Sequence, residues 1–260
     1  MGVNKDIQSL EDTRQVTIDK VGVKKVRYPI IVEDRENKQQ NTVADLDIYV
    51  ELPHQHRGTH MSRFLEVLNR FHKETIIGNL EDFMQEIKRE LDADAAYARI
   101  SFPYFMNKQA PVSKISSYLG YDCFFEASYK QNYDLKIGVQ VPVTSLCPCS
   151  REISDYGAHN QRSLVTLKVA YDGFVWLEEL IEAVESAASC QIYSLLKRVD
   201  EKYVTEQAYN NPRFVEDIVR DITVKLKQDK RIKFFKVESE NYESIHNHSA
   251  YACVEWSRDE

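Results

Sequence analysis

Between residues 43 and 52 the chain alternates: Leu46, Ile48, Val50 and Leu52 fall between Asp45, Asp47, Tyr49 and Glu51. That is the period of a strand with one buried face. A β-rich stretch at residues 21–31 leads into it through a polar turn at 33–40. A helix at 62–72 follows, and a second begins at Asn79, a side chain suited to an N-cap. Leu80, Phe83, Ile87 and Leu91 lie along one face of that second helix. Residues 96–105 and 121–129, rich in aromatic and β-branched side chains, make two more strands joined by a polar loop containing Pro111.

The second half repeats this order. Leu135, Ile137, Val139 and Val141 alternate in a strand that Pro142 is expected to stop, and residues 163–171 form its partner. A long helix should carry Leu177, Leu180, Ile181, Val184, Ala188, Leu195 and Val199 along one side. Asn211-Pro212 opens the next helix, a capping side chain followed by proline at the first position, with Val215, Ile218, Val219, Ile222 and Leu226 as its apolar stripe. Strands at 232–239 and 249–256 close the chain. The pattern predicts an α+β protein of two β-β-α-α-β-β modules, residues 1–132 and 133–260, each an antiparallel sheet with helices on one face. Alternating the chain direction through the second module brings three loops, 142–162, 200–211 and 240–248, to one end.

Composition narrows the partners. With 34 Lys and Arg against 41 Asp and Glu, the net charge is −7, which argues against nucleic acid but not against a small polyphosphate in a local basic pocket. The five cysteines suggest no disulfide framework. Residues 1–10 are charged and lack an apolar core, so no secretory signal is expected, and no apolar run approaches the ~20 residues of a membrane span. Reduced thiols in the cytoplasm are the expectation.

The three loops hold the unusual residues. Cys147-Pro148-Cys149 followed by His159 suits thiolate and imidazole ligation of a transition metal, although two small buried cysteines beside a turn would look the same. In an extended segment His246 and His248 point to the same side, as metal binding or proton transfer requires; a hydrated polar turn is the plain alternative. Glu201 and its neighbours offer carboxylates that alone would be a solvated linker. One cysteine, one histidine and one carboxylate leave a fourth position open, as a catalytic zinc-type site does. Cys123, Cys190 and Cys253 read as packing residues, with Cys190 on the long helix. His54, His56 and His72 read as surface residues. His60 introduces a helix whose first N–H groups suit an anion, or is simply part of a capped start.

Taken together, GTHMSRF at 58–64, TSLCPCS at 144–150, YGAHNQRS at 156–163, KRVDEKYVTE at 197–206, NPRFVED at 211–217 and ESENYESIHNHSA at 238–250 closely resemble the type IB family of GTP cyclohydrolase I. The resemblance covers nearly the whole chain. It implies the tunnelling fold, a homotetramer with active sites at subunit interfaces, and GTP as substrate. The implied reaction is attack of water on guanine C8, loss of C8 as formate, and an Amadori-type rearrangement that closes to 7,8-dihydroneopterin triphosphate. This would be the first step of tetrahydrofolate, pterin or deazaguanine synthesis.

The resemblance also implies Cys147, His159 and Glu201 as ligands of one divalent transition metal (Zn, Mn or Fe), and Cys149 as a second active-site thiol. Glu243 would read the guanine N1–H and amino group. Glu216, His246 and His248 would serve proton transfer or the inner metal shell. His60, Arg63, Lys108, Arg162, Lys197, Arg198 and Lys202 are the basic candidates for the triphosphate, His60 and Arg63 being supplied by a neighbouring subunit. Another tunnelling-fold enzyme of pterin or deazapurine metabolism, or a non-catalytic protein with structural zinc, are the rival readings.

Overall fold

A computed structural model describes Gln8, residues 11–71 and residues 77–258. The first half contains the strands β1 (Ile18–Asp34) and β2 (Lys38–Leu52), the helices α1 (Met61–Arg70) and α2 (Leu80–Glu90), and the strands β3 (Ala96–Gln109) and β4 (Ser116–Tyr129). The second contains β5 (Tyr133–Leu146), a short helix α3 (Pro148–Ile153), β6 (Asn160–Tyr171), α4 (Leu177–Ala187) and the two-residue strand β7 (Cys190–Gln191). It ends with α5 (Arg198–Asn210), α6 (Val215–Gln228), β8 (Ile232–Asn241) and β9 (Ala250–Ser257). The β-β-α-α-β-β order holds in the first half; the second keeps four long strands but adds α3 between β5 and β6 and places α4, β7, α5 and α6 between β6 and β8.

The chain divides into two compact units. One holds the residues up to Phe102 together with Phe124–Lys136, the other Pro103–Cys123 together with the chain from Ile137 onward, so β3, β4 and β5 each contribute to both. In the first unit β1 pairs antiparallel with β2, and β2 with β3. Leu46, Ile48, Val50 and Leu52 are all buried, and so are Phe64, Val67 and Leu68 of α1 and Phe83, Met84 and Ile87 of α2. The two helices pack on each other, and α1 also packs on β1. The apolar faces read from the sequence thus become a core by removing their hydrocarbon surface from water.

In the second unit β5, β6, β8 and β9 follow one another as antiparallel neighbours. The α6 stripe of Val215, Ile218, Val219, Ile222 and Leu226 is buried, and α6 packs against α4, β8 and β9. A buried polar cluster lies on the inner side of α4. Lys108 Nζ is 2.5 Å from Glu185 Oε1, the Tyr121 hydroxyl donates to the same oxygen at 2.7 Å, and the Tyr104 hydroxyl donates to Glu178 at 2.6 Å. No helix among the described residues is long and apolar enough to cross a membrane.

Several local expectations change. β5 does not stop at Pro142 but runs to Leu146, with Pro142 opposite Leu164 in an unbroken ladder. Proline removes one donor there but leaves the extended backbone usable. The long helix does not form: α4 ends at Ala187, Ser189 N–H donates to the Thr144 carbonyl at 3.1 Å, and Cys190 pairs in β7 with Thr144. Cys190 is therefore a strand residue, still buried, and Leu195 and Val199 are exposed. The supposed loop at 200–211 is mostly helix α5, because Asp200 caps it. Cys253 is exposed on β9, which among the described residues pairs with β8 and ends the strand order, so one of its edges stays open. His54 is exposed and His56 half-buried, while His72 lies outside the described residues.

Candidate active site

The chemistry-bearing residues of the second unit gather where β5 gives way to β6. Leu146, the last residue of β5, is held from several sides. It pairs with Asn160, its N–H donates to Ser189 Oγ at 3.0 Å, and its carbonyl accepts from the Arg213 N–H at 3.0 Å. Cys147 follows with extended backbone as the N-cap of α3, and Pro148 occupies the first helical position, where its missing N–H costs nothing. The Cys147 sulfur accepts from the Ser150 N–H at 3.4 Å. Gly157, at φ +120°, turns the chain back in a region that a side chain rarely tolerates. Cys147 N–H then donates to the His159 carbonyl at 3.1 Å, and His159 N–H donates to Ser150 Oγ at 3.2 Å.

The His159 ring is mostly buried. Its Nδ1 lies 3.1 Å from Gln161 Oε1, 3.4 Å from Ser244 Oγ and 4.0 Å from Glu243 Oε2. Only 14% of the His159 side chain and 12% of the Glu243 side chain are exposed, so both groups are largely withdrawn from solvent. The β8–β9 loop is tied to the same place by the Tyr242 N–H, which donates to the Arg162 carbonyl at 3.0 Å. His246 and His248 follow in that loop, exposed, with rings stacked at 5.2 Å and 13° between planes.

Helix α5 approaches from another side. Ala208 packs with Leu146 and Cys190, with Val204 and Ala158 against them, and the Arg151 guanidinium of α3 lies 4.9 Å above the Tyr209 ring. The start of α5 is fixed by Asp200, which is fully buried and accepts from the N–H groups of Val112 (2.9 Å), Ser113 (2.8 Å) and Lys197 (2.9 Å) and from the Ser113 hydroxyl (2.6 Å). Burial opposes its charge, but these donors outweigh burial and hold its carboxyl well below the usual range.

The His159 ring and Glu243 therefore face each other, and the backbone bond holds Cys147 next to His159 in the chain's turn. Cys149 is exposed on α3. Glu201, Lys197, Arg198 and Lys202 are exposed at the start of α5, with Lys202 Nζ 3.7 Å from Glu206. Glu216 is exposed in the first turn of α6. No three His, Cys, Asp or Glu side chains among the described residues stand close enough to hold a metal ion, so Glu201 does not join Cys147 and His159 within this chain. Lys108 is committed to Glu185 and 9% exposed, which removes it from the candidates for a phosphate. His60 and Arg63 belong to the first unit, where they line one small cavity. His60 is the N-cap of α1, and Arg63 donates to the Glu90 carbonyl at 3.0 Å. Burial pushes the thiols of Cys123 and Cys190 up, in keeping with packing rather than reactive roles.

Some residues of the site escape the sequence reading: Ser150, Ser244, Asp200 and the buried polar set Ser145, Gln161, Ser163 and Asn241. The signal for the last set is present, since each stands where an inward strand position should be apolar.

Comparison with known proteins gives concordant results. A family model described as "Type I GTP cyclohydrolase folE2" matches residues 5–252. The protein named GTP cyclohydrolase FolE2 in Geobacter sulfurreducens is 54% identical over 250 residues, covering 96% of this chain and 97% of that one. Its namesake in Magnetococcus marinus is 55% identical over 251 residues, covering 96% and 95%. Among solved structures, a urate oxidase of Bacillus sp. TB-90 aligns with TM-score 0.56 at 11% identity, over 93% of this chain and 99% of that one. The uricase of Arthrobacter globiformis aligns at 0.51 with 8% identity, over 92% and 93%. That likeness is of fold alone, in keeping with the tunnelling fold that the family resemblance implies.

Proposed function

The chain belongs to the type I GTP cyclohydrolase family, and from that premise we propose that Cys147 and His159 hold a divalent metal beside a guanine pocket bounded by Glu243. The enzyme converts GTP and water to 7,8-dihydroneopterin triphosphate and formate. The observation that carries the site is the hydrogen bond from Cys147 N–H to the His159 carbonyl, with Glu243 beside the same imidazole.

The donor set suits the metal. Cys147 offers a thiolate whose charge the Ser150 N–H stabilises, and His159 offers an imidazole nitrogen while Nδ1 is engaged by Gln161. Glu201, which stands apart from Cys147 and His159 in the single chain, is the proposed third ligand, brought to them on metal binding. A thiolate, imidazole and carboxylate set accepts Zn²⁺, Mn²⁺ or Fe²⁺. Such an ion supplies the acidity that makes water a nucleophile near neutral pH.

Glu243 accepts the guanine N1–H and amino hydrogens, a paired contact that one carboxylate makes well. That orients C8. Cys149, His246, His248 and Glu216 supply proton transfer at N7 and during ribose opening and reclosure, steps that need general acids and bases. Arg162, Lys197, Arg198 and Lys202 face the triphosphate, and His60 and Arg63 complete that binding from a neighbouring subunit. The working assembly is a homotetramer of cytoplasmic chains, each made of modules 1–132 and 133–260. Its product feeds folate or deazaguanine synthesis. Incubating purified metal-loaded protein with GTP, then oxidising and dephosphorylating, should yield a fluorescent pterin; none from a folded, metal-loaded protein would refute the reading.

A further inference from the structure

Below His159, at the end of the sheet, the core turns polar on adjacent strands. Ser145 of β5 pairs with Gln161 of β6, and Ser163 of β6 pairs with Asn241 of β8. All four are buried, Ser145 and Ser163 completely. They form a continuous line. Gln161 Oε1 is 3.1 Å from His159 Nδ1, Gln161 Nε2 is 2.9 Å from Ser145 Oγ, Ser145 Oγ is 2.9 Å from Ser163 Oγ, and Ser163 Oγ is 2.7 Å from Asn241 Oδ1.

Such a line can be satisfied in one direction at a time. If the amide donates to Ser145, its oxygen must accept from His159, so the imidazole proton sits on Nδ1. Turned over, the amide would donate to Nδ1 and move the proton to Nε2. Glu243 favours the first state, since its carboxylate oxygen 4.0 Å from Nδ1 attracts a proton there. With Nδ1 protonated, Nε2 keeps its lone pair, the form a ligand must have.

We propose that Gln161, oriented by Ser145, Ser163 and Asn241, is a positioning residue that holds His159 in the Nδ1–H tautomer and so presets Nε2 for metal. This rests on His159 being a ligand. An ordinary buried network could hold the strands together without fixing the tautomer, and the test separates the two.

Metal-stripped protein labelled with ¹⁵N-histidine is titrated with Co²⁺, whose thiolate charge-transfer band reports binding at Cys147. His159 shifts are assigned by difference from His159→Ala. Gln161→Met, similar in shape but without the amide, should weaken Co²⁺ binding roughly 10–100-fold, the usual effect of losing such a partner. In the metal-free state it should move the His159 ¹⁵N shifts toward a tautomer mixture. Gln161→Glu, which still accepts from Nδ1–H, should restore both readouts toward wild type. If Gln161→Met does not fold, Ser145→Ala carries the test with the same shift toward mixed tautomers. Co²⁺ affinity and ¹⁵N shifts unchanged in a folded Gln161→Met or Ser145→Ala variant would overturn the inference while leaving the ligand assignment standing. An unchanged Co²⁺ band in His159→Ala would instead remove the ligand assignment, and the inference with it.

Discussion

The Cys147 N–H donates to the carbonyl oxygen of His159 at 3.1 Å, closing the excursion that leaves β5 and re-enters as β6. The backbones that carry this thiol and this imidazole are thereby held together before any ligand arrives. Their placement depends on Pro148 opening α3, on Gly157 reversing the chain, and on Ser150 bonding both ends. Preorganisation of this kind limits what the site must lose in entropy when it closes on its ligands.

Glu243→Gln should weaken GTP use sharply with little change in metal content. The substitution keeps size but replaces one acceptor by a donor, setting N–H against N–H at the guanine edge. Truncating one partner of a buried charged pair costs about 2–5 kcal/mol, so kcat/KM should fall at least ~30-fold. Steady-state kinetics with metal analysis on the same sample checks this. Loss of metal from the variant would make Glu243 a ligand in place of Glu201, a distinction that matters because Glu243 and not Glu201 stands beside His159.

Asp200 should leave a signature in acid. Its folded pKa lies below the ordinary value of 3.8, so its contribution to stability is complete above that value and is lost as pH falls through the folded value. Thermal unfolding followed from about pH 5 to pH 2 should therefore drop more steeply for wild type than for Asp200→Asn. Parallel curves would mean that the cap holds equally well when protonated.

Lys108→Met should destabilise the fold without touching the chemistry. Glu185 would keep the Tyr121 hydroxyl but lose the Lys108 ammonium in a site where its side chain is 5% exposed. Breaking a buried pair costs about 3–5 kcal/mol, and Lys108→Met/Glu185→Gln should recover much of it. Urea unfolding measures this. A loss of GTP affinity at unchanged stability would return Lys108 to the phosphate site.

Most of the fold was legible because strand alternation and helix stripes are local. Leu46, Ile48, Val50 and Leu52 announce β2 with no help from the rest of the chain. The errors arose where distant partners decide. Pro142 stays in a strand because β6 continues the ladder past it, and 188–191 leaves the helix because Thr144 offers a strand partner. Asp200 starts α5 through donors in the β3–β4 loop, which no window around Asp200 reveals. In the site, Cys147, His159 and Glu243 were legible through their motifs. Gln161 looks from the sequence like one polar residue in a polar motif; its meaning lies in register, since Val165, Leu167 and Val169 at the same parity are buried apolar residues.

The assembly prediction follows from exposed apolar groups around the site. Ile153, Tyr156 and Ile245 are 84%, 100% and 64% exposed in the single chain. Large apolar side chains left open to water in this way suit a surface that another chain covers. Sedimentation should find a homotetramer, and Tyr156→Asp should weaken it and lower activity most at low protein concentration. A fully active monomer at micromolar concentration would contradict a site completed between subunits.

The central claim is that GTP ring opening depends on a metal held by Cys147 and His159, and formate release from the metal-stripped oligomer during reloading tests it most directly. Activity should rise with added Mn²⁺, Fe²⁺ or Zn²⁺ to a plateau near one ion per subunit, with about one formate per GTP consumed. Cys147→Ala and His159→Ala should remain folded oligomers that neither retain the ion nor release formate. Wild-type activity from either variant, or full metal occupancy in both, would contradict the account.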